Sequence, residues 1–308
     1  KKSFPGANLD LLVLPPWKCL FAGNPHVSRV WEYHPSWYRQ PVLGFRLRRT
    51  MFDAVLIFHA NKDFRRLLPW LRSRQVLAHQ GFDWLRDDQK LVFEGIRHGI
   101  EKRWLLIEQI GARPDGAQME LFFTEDEAAA GRDFLQRSGL SPGRYIYLNV
   151  GASGSHRRWP ADRFTALAQK ILDATSFKIV LGGGPAETPL IRDMTARGAA
   201  GRLVHTLPLN LKTDGFVIGQ ARLLVTCDTG PMHLGFALKV PTVALFGSYD
   251  PRETGPFHLK PDRCVPVYPG PDAAAASGDL SRTQDLQTIS VSEVWNRVGD
   301  ALSLPGGH

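Results

Sequence analysis

Between Arg222 and Ala237 the chain reads as a short apolar strand running straight into a helix: Arg222-Leu-Leu-Val-Thr226, then Cys227-Asp228-Thr229-Gly230-Pro231-Met232-His233, then Leu234-Gly-Phe-Ala237. A strand that hands over to a helix within a few residues is the building unit of α/β folds, and it constrains this chain more than any other segment. Pro231 suits the first helical turn, where its missing N–H has no partner to lose. Unpaired N–H groups point outward at such a helix start. The helix dipole favours an anion there by about 0.3–1 kcal/mol, up to about 2 when partly buried. An acid, a hydroxyl, a glycine and an imidazole gather around that point, so the segment reads as a cradle for a phosphate and a sugar.

The same alternation runs through the chain. Apolar runs at 9–14, 54–58, 145–150, 177–181, 223–226 and 242–246 read as strands, the first of them fully buried. Stretches 88–110, 160–174, 187–197 and 291–304 read as helices, the first stopping at Gly111. The expected fold is α/β, with two Rossmann-like doubly wound lobes and a cleft between them. The turn-rich Ser138-Gly-Leu-Ser-Pro-Gly143 sets the boundary, giving lobes 1–140 and 141–308. A doubly wound lobe ordinarily opens with a strand and a helix. Here Lys1-Lys-Ser-Phe-Pro-Gly-Ala-Asn8 reads as the end of a helix leading to the second strand. The first βα unit is therefore expected upstream of Lys1, as roughly 20–30 further residues.

In open α/β sheets ligands bind beyond the carboxyl ends of the strands, which puts four loops of the second lobe on one edge. Gly151-Ala-Ser-Gly-Ser-His-Arg-Arg-Trp-Pro160 offers close backbone approach, hydroxyls at Ser153 and Ser155, and cations at Arg157 and Arg158 for a diphosphate. Gly182-Gly-Gly-Pro-Ala-Glu187 ends on an acid that serves either as a helix first-turn charge or as an acceptor for a ribose or base. Asp228 is either an N-cap or a ligand contact, and His233 either a structural histidine or a ligand contact. Leu245-Phe-Gly-Ser-Tyr-Asp-Pro-Arg-Glu-Thr-Gly-Pro256 supplies a further wall. No loop matches GxGxxG with its ribose-binding acid, which argues against a nicotinamide cofactor, and none matches GxxxxGK[ST], which excludes a P-loop ATPase. No metal cluster is evident and no cofactor is expected. The constellation suits a sugar nucleotide held by backbone dipoles and cations.

Composition narrows the setting. A 43% hydrophobic and 22% charged chain with no apolar run near the roughly 18 residues of a membrane span is a globular protein. Cys19, Cys227 and Cys264 are scattered, which argues against a disulfide framework and fits a reducing cytoplasm. The net charge of +8 is concentrated: between Arg29 and Arg74 lie ten Lys/Arg and three acids. Trp31, Tyr33, Trp37, Tyr38, Phe45 and Phe52 are interleaved with them. That mixture suits an anionic membrane surface or a lipid-linked sugar, and no nucleic-acid-binding motif is present. Arg46, Arg48, Arg49, Lys62, Arg65 and Arg66 are the candidate acceptor- and membrane-facing residues.

Taken in order, Gly151-Ala-Ser…Arg157-Arg-Trp-Pro160, Gly182-Gly-Gly-Pro…Glu187, Asp228-Thr-Gly-Pro-Met-His233-Leu and Val240-Pro-Thr-Val-Ala-Leu-Phe-Gly…Asp250-Pro…Thr254-Gly-Pro256 resemble glycosyltransferase family 9, the ADP-heptose:lipopolysaccharide heptosyltransferases. Phe4-Pro-Gly-Ala, Asn24-Pro-His-Val and His98-Gly-Ile-Glu101-Lys-Arg103 in the first lobe are similar to the family as well. The resemblance implies a GT-B fold and inverting, metal-independent transfer from ADP-heptose to a lipid-linked, phosphorylated oligosaccharide at the inner face of the bacterial inner membrane. It further implies donor contacts from Ser153, Arg157, Glu187, Asp228, Thr229, Gly230 and His233. Arg157, in place of the family's frequent Lys, is then the diphosphate stabiliser. The family's general base is an Asp in the loop after the first N-terminal strand, which places it upstream of Lys1. Segment 269–287 matches nothing in the family and reads as a loop. The alternatives are a GT-B transferase for another nucleotide sugar and a non-catalytic nucleotide-sugar-binding relative.

Overall fold

The computed structural model describes residues 1–58, 64–79, 82–95, 97–152, 154–198, 201–247, 250–257, 264–267 and 286–303, with the side chains of 155 and 264–266 outside that description. Ser153, Lys62 and most of segment 269–287 lie outside the described residues. The chain divides into two compact units, Lys1–Ala117 and Gln118–His308.

The first unit comprises β1 (Asp10–Val13), β2 (Arg29–Glu32), α1 (Gln40–Leu47), β3 (Met51–Ile57), α2 (Phe64–Leu67), β4 (Arg72–His79), β5 (Lys90–Leu91) and α3 (Gly99–Glu108). Among the described residues β1 pairs in parallel with β2, and β3, β4 and β5 form a second parallel sheet. Leu47 of α1, Tyr33 and Leu67 form a core against which Leu12 of β1, Trp31 of β2 and Phe52 of β3 pack. The expectation of a fully buried first strand is corrected: β1 is only half-buried and the flanking Leu9 and Leu14 are exposed. Among the described residues its ladder is to β2 alone, without the two-sided enclosure of an inner strand. The helix expected over 88–110 shrinks to α3. His98 Nδ1 accepts from the Ile100 N–H (3.1 Å) and the Glu101 carboxylate from the His98 N–H (3.2 Å), a capping box that starts the helix there.

The second unit comprises α4 (Glu125–Arg137), β6 (Tyr145–Asn149), α5 (Ala161–Ala174), β7 (Lys178–Gly182), α6 (Thr188–Arg197), β8 (Leu203–His205), α7 (Leu211–Gly219), β9 (Leu223–Cys227), α8 (Gly230–Ala237), β10 (Thr242–Leu245), α9 (Pro251–Thr254), β11 (Cys264–Val267) and α10 (Val291–Ser303). Its strands run in parallel in the order β11-β10-β9-β6-β7-β8. Sequence order therefore reverses between β6 and β9, the switch point of a doubly wound sheet. Strand alternation sorts side chains to two helical layers. Ile146 and Leu148 join a core with Phe164 and Ile171 of α5 and Val294 and Val298 of α10. Tyr145 and Tyr147 point the other way, donating to Val217 O (2.5 Å) and Asp214 Oδ1 (2.6 Å) of α7. Both faces are covered, which explains the unbroken apolar runs. Each fully buried Leu or Ile contributes roughly 1.5–3 kcal/mol.

The division falls at Ala117/Gln118 rather than near 140, because α4 packs on α7 of the second unit. Gly131 lies so close to Phe216 that a side chain there would clash, and Glu127 pairs with the buried Lys212 at 3.0 Å. The segment 138–143 is a tight turn inside that unit, with Gly139 and Gly143 at positive φ and the Gly143 N–H on Gln220 O (2.8 Å).

Candidate active site

The loops that follow β6 and β9 meet at the switch point. Asn149, the last residue of β6, is 2% exposed and directs Nδ2 to Gly151 O (3.1 Å), Thr226 Oγ1 (2.9 Å) and Thr229 Oγ1 (3.1 Å). One buried amide thus ties both loops together, and Thr226 Oγ1 and Thr229 Oγ1 stand 3.3 Å apart. Trp159 anchors the far end of the first loop. It is fully buried, its N–H meets Cys227 Sγ at 3.4 Å and its indole N–H donates to Ile289 O at 2.9 Å.

Between these anchors Arg157 reaches across the crevice. Its Nη2 donates to Asp228 O at 2.6 Å and stands 3.7 Å from Asp228 Oδ2. Asp228 is 7% exposed, and Thr254 Oγ1 at the end of α9 donates to its Oδ2 at 3.3 Å. Burial raises the Asp228 pKa above its usual value, against the lowering effect of Arg157, His233 and Thr254. Asp228 is not the N-cap of α8. Thr229 holds that position and its hydroxyl turns back to Cys227 O (3.2 Å), so no side chain caps the helix. A Cβ at Gly230 would meet nothing within 4 Å, which leaves open space before the first turn. A half-buried guanidinium, a carboxylate and an uncapped helix start therefore converge, an arrangement suited to a diphosphate with an attached hydroxyl-bearing group.

A second cluster borders it. Glu187, 4% exposed, accepts from Arg158 Nη1 (3.0 Å) through Oε1 and from the Gly184 N–H (3.0 Å) through Oε2. A Cβ on Gly151 would come within 3.0 Å of Gly183 Cα, so the loops after β6 and β7 touch only because position 151 is glycine.

Residues 53–268 match the family model described as glycosyltransferase family 9 (heptosyltransferase). The chain belongs to glycosyltransferase family 9. Lipopolysaccharide heptosyltransferase 1 of Escherichia coli (strain K12) is 24% identical over 279 residues, covering 83% of each chain. Lipooligosaccharide heptosyltransferase 2 of Campylobacter jejuni (strain 81116) is 32% identical over 243 residues, 77% of this chain and 71% of that one. Among solved structures, the family 9 glycosyltransferase of Veillonella parvula superposes with a TM-score of 0.80 at 18% identity, over 96% of this chain and 88% of that one. An E. coli heptosyltransferase solved with ADP-2-deoxy-2-fluoro heptose gives 0.70 at 17% identity, over 97% and 91%. These likenesses establish the GT-B fold and, with the family match, a glycosyltransferase.

Of the donor residues that the family resemblance implied, Arg157, Asp228, Thr229 and Gly230 converge at the β6/β9 crevice. His233 is exposed one turn along α8, close enough for its charge to lower the Asp228 pKa. Glu187 sits in the bordering cluster. Arg158, read from sequence as a diphosphate cation, is instead engaged by Glu187. Asn149 and Thr254 were missed as site residues. The signal for Asn149 was available: an amide ending an otherwise apolar strand. In the first unit, Arg46 stacks over Trp31 at 5.4 Å, and Arg48 and Arg49 over Phe45 at 5.8 and 5.1 Å, while Arg65 and Arg66 lie on α2.

Proposed function

We propose that this member of glycosyltransferase family 9 transfers heptose from ADP-heptose to a lipopolysaccharide core acceptor, with inversion and without a metal ion or cofactor. The observation that carries the reading is Arg157 held against Asp228 at the β6/β9 switch point, beside the uncapped start of α8. The relatives named lipopolysaccharide heptosyltransferases support the reaction, and the one solved with a fluorinated ADP-heptose supports the donor.

An acceptor hydroxyl attacks the anomeric carbon from the face opposite ADP, the anomeric bond to the diphosphate oxygen breaks, and a general base takes the hydroxyl proton. Arg157 and the N–H groups of the first turn of α8 stabilise the charge that grows on the diphosphate, and Thr229 and Gly230 line that corner. Asp228 and His233 orient the heptose, Glu187 holds the nucleoside, and Ser153 contributes a hydroxyl near the diphosphate. Because fixed cations and dipoles answer the diphosphate charge, the reading needs no divalent ion.

The basic first unit faces the acceptor and the inner leaflet of the bacterial inner membrane, from the cytoplasmic side. Arg46, Arg48, Arg49, Lys62, Arg65 and Arg66 carry that role, with the exposed Val42 and Phe45 among them. No described helix is long and apolar enough to cross a membrane. NMR of the glycosidic linkage formed from ADP-heptose and a lipopolysaccharide core acceptor tests the reaction. An inverted anomeric centre formed at the same rate in EDTA is expected; retention, or loss of turnover in EDTA, overturns the respective element.

A further inference from the structure

The hydrogen bonds around Asn149 run in one direction. Gly151 O can only accept, so the atom of Asn149 that faces it at 3.1 Å is the amide nitrogen, and Oδ1 accepts from the Gly151 N–H at 3.4 Å. The same nitrogen lies 2.9 Å from Thr226 Oγ1 and 3.1 Å from Thr229 Oγ1. Both hydroxyls place their protons on one carbonyl, Cys227 O, at 2.9 and 3.2 Å, and so accept from the amide. Asn149, Thr226 and Cys227 are all buried. Hydrogen bonding therefore passes from the Asn149 amide, through two hydroxyls, to the carbonyl that precedes Asp228.

Thr229 is the N-cap of α8, yet its only hydroxyl proton is committed to Cys227 O. A diphosphate oxygen accepts and cannot donate, so that hydroxyl has no proton left for the donor. We infer that Asn149 is a positioning residue for the donor diphosphate, acting through Thr229. Its amide sets where the backbone of Thr229 and Gly230 enters α8, and Thr229 meets the donor with its backbone rather than its hydroxyl. Asn149 itself touches no substrate. On the other side of the same strand end, the Val150 N–H donates to Gly182 O at 2.9 Å. Loss of the amide thus frees the loop after β9 and leaves the join to β7 in place. This role rests on the donor reading of the crevice given above.

Calorimetric titration of the full chain with ADP between pH 5 and 8, for the parent, Asn149→Asp and Asn149→Leu, tests it. An ionised carboxyl at this position has no proton for Gly151 O or for either hydroxyl; its protonated form supplies one, and burial favours that form. At pH 8 both variants are expected to bind ADP about ten-fold or more weakly than the parent, as loss of more than one hydrogen bond implies. As pH falls to 5, the affinity of Asn149→Asp relative to the parent is expected to climb back, while that of Asn149→Leu stays flat. Asp228, Glu187, Arg157 and His233 border the crevice in all three proteins, so the ratio to the parent removes their own titration. Thr226→Val keeps Asn149 in place and removes one hydroxyl that its amide holds. It is expected to weaken ADP about five-fold, with Thr226→Ser restoring the affinity, and it carries the test if the Asn149 variants do not fold. Affinity equal to the parent's in the folded Asn149 variants, or in Thr226→Val, overturns the inference alone. So does a loss in Asn149→Asp that is the same at every pH, the mark of a merely structural role. A parent that binds no ADP overturns the proposed donor site and this inference together.

Discussion

The Arg157 guanidinium and Asp228 meet across the only reversal of strand order in the described second-unit sheet, Nη2 to the Asp228 carbonyl at 2.6 Å and to its carboxylate at 3.7 Å. Neither residue is close to the other in sequence. The switch point brings them together, and Arg157 lies within reach of both the crevice and the start of α8.

Arg157→Ala is expected to weaken ADP binding by about ten- to a hundred-fold, since a charge-assisted hydrogen bond contributes about 1.5–3 kcal/mol. Arg157→Lys keeps the charge but not the fork that spans the Asp228 carbonyl and a phosphate, so it falls between the two. Calorimetric titration with ADP measures both.

Thr254→Val removes the hydroxyl that donates to Asp228 Oδ2 at 3.3 Å. A hydrogen bond to a carboxylate contributes about 1.5–3 kcal/mol, so donor affinity should fall about ten-fold or more. Thr254→Ser, which restores the donor, should recover most of it.

Asp214 carries a pH signature of its own. Burial raises its pKa to about 6, despite hydrogen bonds from Tyr147 and Thr206 that lower it. Because the folded value lies above the unfolded one, the native state binds the extra proton between about pH 4 and 6. Its contribution to stability is therefore largest at the acid end of that window and is lost as pH rises through it. In urea unfolding at several pH values, the parent should lose stability relative to Asp214→Asn from pH 4 to 6; parallel curves would contradict the assignment.

Lys212 and Glu127 fasten α4 to α7 at 3.0 Å, with Lys212 1% exposed. Removing the carboxylate takes one charged partner from a buried ammonium, so Glu127→Ala should destabilise the second unit by about 1.5–3 kcal/mol. Lys212→Met, which leaves no buried charge, should cost much less. Denaturant midpoints of the two variants distinguish these outcomes.

Charge reversal at Arg46, Arg48 and Arg49 should weaken binding to phosphatidylglycerol vesicles by about 2 kcal/mol per residue, with ADP affinity unchanged. Sedimentation with vesicles at two salt concentrations measures it, and the difference should shrink at high salt.

Much of the second unit was legible because its strands are buried on both faces. Tyr145–Asn149 and Leu223–Cys227 read as continuous apolar runs, and their helices follow after short glycine-bearing turns. The first unit was less so. The stretch 88–110 has apolar residues at helical spacing throughout, and only the His98–Glu101 capping box shows where the helix starts. The domain boundary was misplaced because 138–143 has linker composition, whereas the contact that fixes α4 to the second unit, Gly131 against Phe216, joins residues far apart in sequence. In the site, residue types and strand ends indicated which loops share an edge. They did not indicate that Arg158 is taken by Glu187, or that Thr254 returns to Asp228, since both depend on loop conformation.

The most direct measurement is calorimetric titration of the parent and Arg157→Ala with ADP-heptose, ADP-glucose and UDP-glucose, with and without EDTA. ADP-heptose is expected to bind tightest, EDTA to change nothing, and Arg157→Ala to weaken both ADP-sugars alike. Equal affinity for the three donors, or full affinity retained in Arg157→Ala, would contradict the proposed donor site.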